Sequence, residues 1–495
     1  MTSPRSSHNA SVWGCQEPGV YTDLGPRPAL SWMRPSVLWR SRNDVIAKWF
    51  GDPVDEVRRR WVQVPQETPM RTEGETFSFL VLGDTGEGDS SQYAVVPGML
   101  RVGQGTRFAV VASDVNYPVG SVNDYGQTFF KPYQAYPAPI YAVPGNHDWY
   151  DGLEGFMRVF CDRIGDGAPG PTWKPRYARL ATKLWRKPEP TDEDAFTAAR
   201  ALRAQPSQQA KQPGPYWFID SPRLRVVGLD TGIGGGIDRD QGEWLRRVSA
   251  DPRPKLLITG KPIYRNNEYR PCQIEGGGTV DEIVRTTGYV AVIGGDIHNY
   301  QHYPVDVDGH RIDYLVAGGS GAYMHATHTI PAVDIRRDGE TIVDEDAFFC
   351  HPLRGDSLVF YSRLYADRLR RFGLRRFFEL DYPEAAAAVS RRLGVAPTRP
   401  EAQGVVPGLR ARMVASLLAV PDGRKRRPLL RLPVNMPYHR LFSEASDSDA
   451  APFFKTFLRL DITPGELHIR CFGATGCRAQ ELEPPVEHEL RISLR

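Results

Sequence analysis

Four short polar clusters carry the residue types from which a metal centre is built: Asp84; Asp114 with Tyr117; Asn146 with His147; and Asp296 with His298. Carboxylates, imidazole and amide oxygen are ligands of hard or borderline divalent and trivalent cations. Taken singly, each has a bland explanation as a turn residue or a satisfied core group. Their shared context is harder to explain that way. FSFLVL precedes Gly83-Asp84, FAVVA precedes Ser113-Asp114, IYAV precedes Pro144-Gly145-Asn146, and a run beginning at Val290 precedes Asp296. Apolar runs of this length read as buried strands. Parallel strands end at one sheet edge, so residues placed just beyond them can meet there.

The elements that must position these clusters alternate β-α-β-α-β from Phe77 to Val143, with helix-length stretches at Gln92 to Arg101 and Asp124 to Tyr136. Strands return at Tyr216 to Ile219 and Leu224 to Leu229, followed by a helix at Asp238 to Val248. The next strand, Lys255 to Ile258, ends in Thr259-Gly260-Lys261-Pro262. Val290 to Ile293 and Ile312 to Ala317 complete the series, the latter running into a glycine-rich loop, Gly318 to His328. The chain divides into an N-terminal extension (1–75) with short helices either side of Gly51-Asp52-Pro53, a core (76–345), a helical region (346–440) and a β-rich segment (441–495). An insertion at 162–215 is placed to cap a site. Leu358 to Phe378 is amphipathic with a basic outer side. The last strands either extend a core sheet or form a small lobe.

On these residues, over 77 to 325, the chain resembles the calcineurin-like metallophosphoesterase superfamily, and more narrowly its purple-acid-phosphatase-like branch. The superfamily pattern is Asp-x-His, Gly-Asp, Gly-Asn-His, a lone His and Gly-His-x-His. Here Asp84-Thr85-Gly86 lacks the first histidine, and Asp114-Val115-Asn116-Tyr117 supplies the tyrosine with which the purple branch fills that place. The resemblance implies an α/β fold, a four-layer α/β/β/α double-sheet sandwich. It also implies metal-dependent hydrolysis of a phosphate monoester or diester, on a small molecule or a phosphorylated substrate. Two metal ions are implied: iron held by Asp84, Asp114, Tyr117 and His298, and a second ion sharing Asp114 and taking Asn146. His147 would then bind the phosphate or protonate the leaving oxygen.

The second metal position departs from the pattern. Gly260-Lys261-Pro262 stands where a histidine precedes x-Pro, and Gly295-Asp296-Ile297-His298 has aspartate in place of the first histidine. Three readings stay open. Asp296 ligates instead of histidine, favouring Mn²⁺, Mg²⁺ or Fe over Zn²⁺. Alternatively Lys261 pairs with Asp296 and supplies positive charge without a second metal. In the third, the site is degenerate, and the protein binds a phospho-ligand or a protein partner without turnover. His325 and His328 are candidates for substrate contact from the following loop.

Other signals are weaker. His298 and His302 have helical zinc-motif spacing but follow a strand and lack the adjacent glutamate. Asp230 reads as a loop-holding residue, Asp89 as an exposed turn, and Gly234 to Gly236 as a flexible loop. A net charge of +3 on 495 residues gives no electrostatic case for nucleic acid or an anionic membrane. The basic run Gly423 to Arg427 reads as a solvated loop. No apolar stretch approaches the ~20 residues of a membrane span, and the first residues lack a secretory core. A cytoplasmic protein with reduced thiols is expected, although Cys471 and Cys477 flank a short loop and could pair in an oxidising compartment.

Overall fold

Alternate side chains of a strand point to opposite faces, and in this chain both faces of the first strand are apolar. Phe77, Phe79 and Val81 pack in one cluster, while Leu80 and Leu82 pack in another. Such a strand must be covered on both sides. The computed structural model describes residues 15, 17–165, 178–307, 309–423 and 451–494, and it covers the strand with a second sheet on one side and helices on the other.

One sheet has six strands in the order Val486–Ser493, Glu466–Ala474, Lys455–Ile462, Phe77–Gly83, Phe108–Ala112, Ile140–Val143. The last three are mutually parallel. The C-terminal strands are antiparallel and join the sheet through Ile462 opposite Phe77. They therefore extend the core sheet and form no separate lobe. The other sheet has eight strands, with Arg225–Leu229, Lys255–Thr259, Tyr289–Gly294 and His310–Ala317 parallel at its centre. Phe79, Val81, Phe108 and Val110 of the first sheet meet Trp217, Val226, Leu256, Ile258, Ala291 and Ile293 of the second in a shared core.

Helices close the outer faces. Val96–Val102 and Glu154–Phe160 cover the six-stranded sheet with Met99, Phe156 and Phe160, while Arg239–Ser249 and Val280–Thr286 cover the eight-stranded sheet with Trp244, Leu245, Ile283 and Val284. The result is the four-layer α/β/β/α sandwich. No helix among the described residues is long and apolar enough to cross a membrane.

A satellite cluster forms from helices Arg354–Arg368, Tyr382–Leu393 and Leu409–Leu417, which pack Leu358, Val389 and Val414 with Met324 of the glycine-rich loop and Ala332 just beyond it. The helical region thus holds the loop in place. At the N-terminus, helices Asn43–Phe50 and Val54–Trp61 flank Gly51 as the sequence predicts. Arg58 is buried from the second helix and pairs with Asp230 at 2.7 Å and Asp238 at 2.6 Å.

Three expectations change here. Cys477 is joined to Cys15 by a disulfide, and Cys471 is a buried free thiol, so neither the 471–477 pairing nor a fully reduced set of thiols holds. Asp89 is no exposed turn: it is fully buried and caps Ser90–Tyr93 by accepting from Ser91 N and Gln92 N. The insertion's helix Glu193–Ala201 buries Phe196, and neighbouring Arg203 reaches the carbonyls of Tyr136 and Ala138 at 3.1 and 2.9 Å. The polar lead through Gly14, the basic run from Arg424 and residues 441–450 lie outside the described residues.

Candidate metal centre

The three strand-end aspartates all sit in left-handed backbone, with φ of 53° at Asp84, 35° at Asp114 and 66° at Asp296. Non-glycine residues avoid this region, and its recurrence where strand ends of the two sheets meet marks a site where local strain is offset by surrounding structure. Asp84 and Asp114 end adjacent parallel strands of the six-stranded sheet, and Asp296 ends a central strand of the other. Two glycines let the sheet ends meet. A Cβ on Gly295 would lie 2.4 Å from Ala112 O, and one on Gly318 would lie 2.4 Å from Asp84 Oδ2.

Around the Tyr117 hydroxyl the expected groups come together. Its oxygen lies 3.3 Å from Asp84 Oδ1, 3.1 Å from Asp114 Oδ2 and 3.2 Å from His298 Nε2. All four side chains are buried. His298 Nδ1–H donates to Tyr323 O at 2.8 Å, which leaves the lone pair on Nε2, facing the phenol. Burial, and next the charge of His325, hold the His298 imidazole well below its ordinary pKa, so it stays neutral.

One phenolic proton cannot satisfy two carboxylates and an imidazole. Burial, then the charges of Asp114 and Asp296, push the Asp84 carboxyl well above the usual range; burial likewise raises Asp114. Asp84 Oδ2 is buried with no hydrogen-bond partner. A hard cation would satisfy this donor set of two carboxylates, one phenol and one imidazole. Among the described residues no three His, Cys, Asp or Glu side chains converge as a metal-binding group on their own. The fit to a cation depends on the phenol at the middle of the cluster.

Supporting contacts fix the loops. Asp148 accepts from Val115 N at 3.1 Å and Gly145 N at 3.0 Å through one carboxylate oxygen, tying together the turns that carry Asp114 and Asn146. His147 N donates to Asp114 Oδ1 at 2.8 Å, and His147 Nδ1–H donates to Pro118 O at 2.8 Å. The His147 ring packs on Tyr117 and Tyr150 with centroids 4.6 and 4.7 Å apart. Asn146 Nδ2 donates to Tyr150 Oη at 2.8 Å.

At the second position the structure shows the Lys261–Asp296 pair, one of the three readings, with Arg265 added to it. Lys261 Nζ donates to Asp296 Oδ1 at 2.8 Å and Arg265 Nη1 to Asp296 Oδ2 at 2.5 Å, so both carboxylate oxygens are held by cations. Burial alone would raise Asp296; Lys261 and then Arg265 outweigh it and keep the carboxyl below its usual range. Two cations on one carboxylate leave a net positive charge with both carboxylate oxygens engaged, which does not fit a metal ion. The cluster touches the first centre through Asp296 N, which donates to Asp84 Oδ1 at 3.1 Å.

His325 and His328 have separate fates. His325 stacks on His298 at 4.2 Å and accepts from His298 N at 3.0 Å. His328 is fully buried, with Nδ1 at 2.8 Å from Ser357 Oγ and Nε2 at 3.0 Å from Leu418 O, so it anchors the helical region and does not approach the centre. Asp230 holds loops as expected, accepting from Trp149 Nε1 and Gly232 N at 2.9 Å each. Sequence reasoning missed Arg265, Asp148 and Tyr323. Arg265 stands four residues after Lys261, and Asp148 stands inside GNHD, so both had a weak signal; Tyr323 acts through its carbonyl, which has none.

No protein-family model matches the chain, and no curated protein matches it significantly. Among solved structures it is similar to a purple acid phosphatase from yellow lupin (Lupinus luteus) seeds, with 9% identity and a TM-score of 0.38 over 86% of this chain and 55% of that one. PhoD is similar at 10% identity and a TM-score of 0.34, over 83% of this chain and 68% of that one. GAP50, the anchor in the inner membrane complex of Plasmodium, is similar at 10% and 0.31, over 56% and 80%. The chain spans about half the length of the lupin enzyme. Likenesses at this level assign no chemistry to this chain.

Proposed function

We propose that the chain is a metal-dependent phosphoesterase acting on a phosphate monoester or diester. Asp84, Asp114, Tyr117 and His298 hold one hard cation, for which iron is the choice that suits a phenolate. The observation that carries this reading is the convergence of two carboxylates and a neutral imidazole on one buried tyrosine oxygen. When bound, such an ion supplies Lewis acidity and a water acidified toward neutrality.

The chain's own residues supply the rest. His147, fixed as the Nδ1–H tautomer by Pro118 O, presents its Nε2 lone pair, takes up a proton there, and passes it to the leaving oxygen. Lys261 and Arg265 carry positive charge where a second metal was expected and attract the phosphoryl group. A second reading, binding of a phospho-ligand without turnover, draws on the same ion pairs, since the cations bound to Asp296 leave no second metal.

Metal analysis, visible spectroscopy and a phosphoester assay on the purified chain separate these readings. We expect one iron per chain and a visible absorption band that Tyr117→Phe abolishes, with turnover lost in His147→Ala. Iron with phosphate binding but no hydrolysis of any phosphoester supports the binder; a colourless, iron-free protein unaltered by Tyr117→Phe rejects the centre.

A further inference from the structure

The rim of the centre is completed by a residue from outside the core. Trp32 belongs to the N-terminal extension, yet its ring lies against Tyr117, His147 and Tyr323, with centroids 5.3, 5.4 and 5.6 Å away. The chain holds it there from both sides. Upstream, Arg27 Nη1 reaches Asp124 Oδ1 at 3.4 Å, and downstream Arg40 Nη2 reaches Asp124 Oδ2 at 3.0 Å. Arg27 also donates to Glu87 O at 2.5 Å and Tyr117 O at 3.2 Å. The segment between the two arginines is therefore clasped on one carboxylate, with Trp32 at its inner side.

The indole Nε1 is buried and has no hydrogen-bond partner. Buried donors are paired in the great majority of cases, and leaving one unpaired costs free energy that a fold does not ordinarily retain. The rings of Tyr117, His147 and Tyr323 that pack on this indole offer it no acceptor in the structure. The partner must then come from what enters the site.

We propose that Trp32 is a substrate-binding residue of the site, its indole N–H donating to an oxygen of the bound phosphoryl group. Asp124 is the positioning residue that keeps the indole in place by clasping Arg27 and Arg40. This inference rests on the phosphoester reading above.

Titrating the full-length, metal-loaded protein with inorganic phosphate by calorimetry tests it, alongside hydrolysis of p-nitrophenyl phosphate. Trp32→Phe keeps the ring and removes only the donor. It should weaken phosphate binding by about tenfold, the loss expected for one hydrogen bond to a charged oxygen, and raise KM while leaving kcat unchanged. Asp124→Ala should weaken binding in the same direction with Trp32 intact. Should Trp32→Ala fail to fold, Trp32→Phe still decides. Wild-type affinity in a folded Trp32→Phe overturns the Trp32 assignment and leaves the phosphoester reading standing. A wild-type protein that neither binds phosphate nor hydrolyses a phosphoester overturns both.

Discussion

Asp296 is the residue at which the resemblance and the structure part. As a metal ligand it would offer free oxygens; as found, it is the shared anion of Lys261 and Arg265, with side chains only 14% (Asp296), 21% (Lys261) and 27% (Arg265) exposed. Asp296→Asn should lower stability by about 1–2 kcal/mol, less than for a fully buried pair because water reaches both cations. Iron content should not change, since what Asp296 gives Asp84 is a backbone N–H. Affinity for inorganic phosphate should rise as two cations lose their internal anion. Thermal melts, metal analysis and calorimetry check the three together; loss of iron would show that the Asp296 carboxylate itself serves the first centre. At this scale the sequence was informative about type, and it offered the Lys261–Asp296 pair as one of three readings without Arg265 as the second partner. Asp84, Asp114 and His298 could be singled out because each follows a strand, and Tyr117 only through the resemblance. Arg265 gave only a weak signal, because it lies in a two-residue strand followed by Asn266 and Asn267 at φ of 49° and 61°.

Among the elements, the strands were the most legible, since apolar runs such as Phe108–Ala112 and Ile140–Val143 have no alternative but burial. The short irregular pieces were not. Residues 124–136 read as one helix, but the stretch holds a wide turn at Gly126–Phe130, preceded by a 3-10 turn at Val122–Asp124 and shaped by tertiary contacts of Phe129 and Phe130. The C-terminal strand Val486–Ser493 carries a testable consequence of its packing. His488 Nδ1 meets Tyr300 Oη at 3.0 Å, and the ring stacks on Phe349 at 4.4 Å, with His302 at 5.0 Å and Asp313 beyond it. Burial, and then the charge of His302, lower its pKa from 6.5 to about 3. A histidine depressed in the folded state stabilises above its unfolded pKa and loses that contribution as pH falls. Stability should therefore drop by about 1.4 kcal/mol per pH unit between 6.5 and about 3 from this group alone. His488→Phe should flatten that slope in urea melts; an unchanged slope would assign the acid sensitivity to other groups.

For the whole molecule, the N-terminal extension is bound to the far end of the chain. Cys15 joins Cys477, Gly19 N donates to Gly476 O at 2.9 Å, and Tyr21 packs on Phe453 at 5.8 Å. The same extension carries Trp32. Nothing in the sequence announced this, because the segment has neither period nor motif, and Cys15 was separated from its partner by 462 residues. Cys15→Ser, or reduction, should cost about 2–4 kcal/mol of stability. Hydrogen exchange should rise across residues 17–32 ahead of the core. Equal exchange in the two states would show that Arg27 and Arg40 alone hold the extension.

The pairing of Lys455–Ile462 beside Phe77–Gly83 also sets an order of events during synthesis. Ser78 finds Asp461 across 383 residues. Until those late strands leave the ribosome, the strand that delivers Asp84 has one open edge, although its parallel neighbours are already made. The emerging chain must keep that edge from pairing with other chains until those strands are made.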